Sequence, residues 1–210
     1  MADEAEARFT QRALDRFSLA WAASSALLAA LISVAILAVA ARIGSSPTVV
    51  LRDPAAEFGL PFYAGAISYL GVALMLATAA VLTFAVSLAQ DDRPLFFGVA
   101  TLSAIVAFDD LFLLHEVVGP YILGIHELVF LSAYALAGIG IMFRIIRDMG
   151  PAGAGGLLVA GGFLGMSILI DLTIPYSPTS ILVEDLLKLA GYGGWFGFWV
   201  VIAHAAVRNS

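Results

Sequence analysis

Six long apolar stretches dominate the chain, at about 17–41, 62–89, 95–118, 121–147, 155–174 and 180–207. Each is long enough to cross the roughly 30 Å hydrocarbon core of a bilayer as an α-helix. The breaks between them carry residues that cannot continue a helix: Gly44-Ser45-Ser46-Pro47, Asp91-Asp92-Arg93-Pro94, Gly119-Pro120, Gly150-Pro151 and Pro175 with Pro178. The pattern predicts an all-α polytopic integral membrane protein, a bundle of six transmembrane helices occupying residues 17–210. Residues 1–16 precede it as a cytoplasmic interfacial segment. There Phe9, Ala13 and Phe17 fall on one helical face and Arg8, Arg12 and Arg16 on another.

Composition narrows the class. The chain is 61% hydrophobic, has a mean hydropathy of +0.99 and is only 12% charged, which excludes an ordinary soluble domain. With no cysteine it forms no disulfide, thiolate metal site or cysteine nucleophile. No basic patch points to nucleic acid.

Arginine sets the expected orientation. With the N-terminus inside, Arg8, Arg12, Arg16, Arg93, Arg144, Arg147 and Arg208 are cytoplasmic, and only Arg42 and Arg52 lie opposite. This bias places both termini in the cytoplasm of a cell with the protein in its cytoplasmic membrane. The turns at 119–120 and 175–179 then face outward.

Against that apolar background, charge collects near one expected membrane face. Asp109, Asp110, His115 and Glu116 come from the third stretch, His126 and Glu127 from the fourth, Asp171 from the fifth, and Glu184, Asp185 and Lys188 from the sixth. If the third helix runs to Val118, Asp109 lies about 14 Å below its outer end and shares a face with Glu116, seven residues on. Lys188, the only lysine, is spaced to pair with Glu184 or Asp185. One lysine cannot neutralise seven carboxylates, and buried charge in lipid is costly, so cations, bound protons or a wet cavity must compensate.

Imidazole and carboxylate together make the ligand set of Zn, Fe and Mn sites, and helical bundles hold such metals between facing helices. Asp109, His115, Glu116, His126, Glu127, Glu184 and Asp185 are the candidate ligands of a divalent metal. Asp110, Asp171 and Lys188 are candidates for a catalytic role. Tyr63, Ser68 and Tyr69 are placed to donate to this layer, and Arg52, Asp53 and Glu57 read as a solvated loop. Gly161 with Gly165, and Gly193 with Gly197, are spaced to let helices approach closely.

Several patterns are absent. No His-x-x-x-His pair of membrane hydrolases is present, and three histidines are too few for di-haem cytochromes or membrane desaturases. The leading expectation is a small membrane metalloprotein, an enzyme acting on a lipid or apolar substrate from the outer leaflet. One alternative, a proton or cation conductor, uses the same acids; the other is a structural subunit of a larger membrane complex, with a homo-oligomer or such a complex as the expected assembly.

Overall fold

A computed structural model describes the backbone of residues 2–88, 92–175 and 177–208, with the side chains of residues 2–18 and of Trp21 outside the description. Among the described residues there is no strand, and six helices are long and apolar enough to cross a membrane. The chain divides into two compact units, residues 1–64 and 65–210.

The first unit begins with α1 (Ala2–Arg42), one helix with no break near residue 17. Its apolar, span-length part is Ala22–Arg42. The amphipathic faces expected for residues 1–16 rest on side chains outside the described residues. Two short helices follow, α2 (Pro47–Leu51) and α3 (Pro54–Phe58), each opened by a capping side chain and a proline. Asp53 accepts the Ala55 and Ala56 amides at 2.8 and 3.3 Å. Glu57 accepts from the Thr48 hydroxyl at 2.7 Å and pairs with Arg52 at 3.2 Å. The polar groups of this loop therefore satisfy one another.

The second unit holds α4 (Ala66–Leu88), α5 (Arg93–Phe112), α6 (Glu127–Gly153), α7 (Gly155–Thr173) and α8 (Pro178–Arg208). α4 packs most extensively against α5 and α8, and α8 against α7. Phe96, Leu82, Val99 and Trp199 are fully buried in this core. α6 completes the ring between α5 and α7 but buries only Ile145. The Gly150-Pro151 break appears as a non-helical Gly150 at φ 73° and ψ 171°.

Two expectations need correction. α5 ends at Phe112, not near Val118, because Leu113 adopts a left-handed conformation with φ 52°. The Gly119-Pro120 pair is not a bare turn. It lies inside a π-helical segment, Leu114–Leu123, closed by Gly124 at φ 68°. An α-helix here would bring the ring of Pro120 against the carbonyl of Glu116. The wider winding avoids that clash and fits a proline without an N–H.

The close helix approaches also lie elsewhere than the sequence spacing suggested. A Cβ at Gly165, Gly193 or Gly197 would meet nothing within 4 Å. At Gly191 it would meet Leu164 at 2.6 Å, and at Gly194 it would meet Ala160 at 3.1 Å. The α7–α8 contact therefore runs along the 191/194 face. The other face of α7, bearing Gly161, Gly162 and Gly165, borders a cavity.

Candidate functional site

Asp109 and Asp110 occupy the last turn of α5, where the helix dipole is negative and a carboxylate is disfavoured. Both are compensated by specific partners. At Leu113 the chain turns back, and the next residues return to Asp109. The His115 amide donates to Asp109 Oδ1 at 2.7 Å, and His115 Nδ1 lies 2.6 Å from Oδ2. On one continuous helix these two residues would point about 120° apart. The break at Leu113 makes the pair. Asp109 is 1% exposed and His115 is 6% exposed, so the contact is dry.

His115 lies beyond the α5 span. Burial alone would lower its pKa, but the hydrogen bond and charge of Asp109 outweigh that and hold it above the ordinary 6.5. Lys188 opposes this rise and Glu116 adds to it.

Asp110 is held by α8. Lys188 Nζ lies 3.1 Å from Oδ1, and the Tyr192 hydroxyl donates to Oδ2 at 2.7 Å. The ion-pair partner of Lys188 is thus Asp110 rather than the expected Glu184 or Asp185, which share its helix. α8 and α5 are locked together by these side chains, one helical turn apart on α8.

The donor atoms of Asp109, Asp110 and His115 lie within 4.8 Å of one another, and among the described residues no other such group of three or more occurs. Trans ligands around one ion span about 4.2 Å at bonds of about 2.1 Å, so this spread approaches a single coordination sphere. Glu116 faces Asp109 no longer. It is half exposed, with Oε1 3.5 Å from His115 Nε2. His126 is exposed, and its Nδ1 accepts the Leu128 amide at 3.2 Å as the N-cap of α6. Glu127 stands in the first turn of the same helix. Neither joins the three-residue group.

The group opens into a cavity of about 510 Å³ bounded by α5, α6, α7 and α8, with Met75 of α4. Asp171, Glu184 and Lys188 line its polar end with Asp109, Asp110 and His115. The remaining walls are largely aliphatic and aromatic. A smaller polar cavity of about 70 Å³ adjoins it and is lined by Ser68, Glu116, Glu184 and Asp185, among others. Of the three groups expected to donate from the second apolar stretch, Ser68 borders this space, while Tyr63 and Tyr69 are 63% and 47% exposed.

Two site residues lay outside the sequence reading. Tyr192 binds Asp110, and Tyr134 of α6 lies beside Asp109 and lines the main cavity. The signal was spacing: Tyr192 is one turn beyond Lys188, and Tyr134 two turns beyond Glu127, which puts each on the face of an ionisable neighbour.

Residues 25–202 match the family described as a domain of unknown function, DUF8692, and the chain belongs to that family. No curated protein and no solved structure matches it.

Proposed function

We propose that this is a multi-pass membrane metalloprotein whose cavity receives a lipid-like or apolar substrate beside a divalent ion held by Asp109, Asp110 and His115. The observation that carries the reading is the convergence of these three donor groups, two of them buried, at the polar end of a largely apolar cavity. Cavities of a few hundred Å³ with apolar walls and a few converging polar groups are the usual form of a ligand site.

The donor set suits Zn, Mn or Fe. Two carboxylates in a helix's last turn, set against the negative end of its dipole, also favour a bound cation. Such an ion would supply an activated water or a redox centre. The chain's own groups have separate tasks. The amide of His115 donates to Asp109 Oδ1 and so fixes that carboxylate beside the imidazole. Lys188 and Tyr192 hold Asp110 in place. Asp171 and Glu184 remain at the cavity wall as bases or as contacts for the substrate's polar group.

The described hydroxyls lend the conducting alternative little support. Those of Thr78, Thr83 and Thr101 each donate to a carbonyl of their own helix, and Ser103 accepts from Trp195.

A second reading is favoured by the pairs themselves. Asp109 with His115 and Asp110 with Lys188 compensate two acids without metal. On that reading the Asp109–His115 pair is a general base at the cavity.

Thermal unfolding separates the two. If the ion is present, stripping the purified protein with a chelator lowers Tm and re-adding Zn, Mn or Fe restores it, because a ligand that binds only the folded state stabilises it. A Tm insensitive to both treatments removes the metalloprotein reading and leaves the general-base one.

A further inference from the structure

The cavity has a side opening. On α6, Leu131, Tyr134, Gly138, Met142 and Ile146 recur at helical spacing along one wall. Beside them Ala135, Ile139 and Phe143 also line the cavity yet are exposed, Ile139 at 52% and Phe143 at 71%. Across from them on α7, Leu158, Gly162 and Gly165 line it and are exposed as well. The cavity therefore opens laterally between α6 and α7, through an apolar gap.

Glycines widen this gap. A Cβ at Gly138, Gly162 or Gly165 would meet nothing within 4 Å, so no neighbouring group requires glycine there by close packing. Along α7 the lining runs from Leu157 to Asp171, about 21 Å at 1.5 Å per residue. That is some two-thirds of the roughly 30 Å hydrocarbon core, the reach of an extended lipid chain.

Charge at the closed end selects the head. Four carboxylates line it, Asp109, Asp110, Asp171 and Glu184, against Lys188. With a divalent ion at the three-residue group, Asp171 and Glu184 are the acids left to meet the head. Two tyrosines, Tyr134 and Tyr192, and Trp195 share the lining, and aromatic rings attract cations.

We infer that the cavity binds a single-chain amphiphile with a cationic ammonium head, which enters from the bilayer between α6 and α7 and places its head against Asp171 and Glu184. The inference rests on the ligand cavity proposed above but not on the metal. Its chain lies along Gly162 and Gly165, and its head supplies the positive charge that the end lacks. Anionic lipids are repelled from the same end, and neutral ones gain only the apolar contact.

Trp195 lines the cavity, so its fluorescence reports occupancy. Purified protein, both chelator-stripped and metal-loaded, is titrated with three bromine-labelled probes of one chain length: an amine, an alcohol and a carboxylic acid. The amine is expected to quench with a Kd about tenfold or more below the alcohol, as a charge-assisted contact provides, and the acid to bind weakest. Trp195→Phe should reduce the quenching, leaving the share of its neighbour Trp199, whose ring centroid is 5.8 Å away. The double variant Asp171→Asn, Glu184→Gln should bring amine and alcohol together while alcohol binding persists. Gly162→Leu, whose side chain enters open space, should block all three probes with Tm retained. Equal binding of amine and alcohol, an unchanged preference in the double variant, or no quenching by any probe each overturns the inference. Loss of metal binding alone does not, because the stripped protein is tested separately.

Discussion

At the residue scale, the Asp109–His115 pair depends on one strained position. Leu113 is the non-glycine residue with a positive φ among those described, and it redirects the chain so that His115 reaches Asp109. Leu113→Gly should fold with stability within about 1 kcal/mol of the parent, since glycine adopts this conformation freely. Leu113→Ile should cost about 1–2 kcal/mol or more, because a branched Cβ crowds the left-handed region. Urea unfolding monitored by circular dichroism gives both values; an isoleucine variant as stable as the parent would show that the turn is unstrained.

The same pair sets a pH dependence in the chelator-stripped protein. Its folded pKa lies above that of a free histidine, so its contribution to stability is full below about pH 6.5 and is lost as pH rises through the folded value. The groups facing it are Asp109, Glu116 and Lys188. His115→Gln should flatten the Tm-versus-pH curve in that upper range. A curve with unchanged slope would mean that the imidazole is neutral when folded.

At the element scale, hydropathy made the spans legible and left their packing hidden. The six apolar stretches, the Gly150 break and the helix ending near Thr173 could be read because proline and glycine act locally. The early stop at Phe112 could not, because nothing in Asp110-Leu111-Phe112-Leu113 forbids a helix; the bonds from His115 back to Asp109 accompany it and have no signature in that segment. That single shift explains why Glu116 was expected on the Asp109 face and why His115 stands there instead. His126 looked like a ligand by composition, yet its position at a helix start makes it a cap. Lys188 was expected to pair within its helix, where spacing is visible, and instead pairs with Asp110, a contact between helices that spacing cannot reveal.

Glycine spacing misled in the same way. Gly191→Ala should destabilise by about 1–3 kcal/mol, because its Cβ meets Leu164 at 2.6 Å. Gly193→Ala, with nothing within 4 Å, should stabilise by about 0.5–1 kcal/mol through helix propensity. Thermal shifts of the two variants in detergent should have opposite signs; shifts of the same sign would relocate the α7–α8 contact.

At the scale of the whole molecule, arginine placement gives an orientation that cysteine labelling tests directly, since the chain has no cysteine of its own. Tyr121 is 83% exposed and Pro151 is exposed. In intact cells a membrane-impermeant reagent should label Tyr121→Cys and spare Pro151→Cys until the cells are lysed. The reverse pattern would put the acid-rich end in the cytoplasm and supply the cavity from the other leaflet.

The central claim is that Asp109, Asp110 and His115 together hold a metal ion. Elemental analysis of the purified protein and of three variants tests it most directly. The parent chain should carry about one equivalent of Zn, Mn or Fe, as a single such coordination sphere implies. Asp109→Asn and His115→Gln should lose it, and His126→Gln should keep it, because His126 is an exposed cap outside the group. A parent chain free of metal, or one that loses its metal as readily through His126→Gln as through His115→Gln, would contradict the claim.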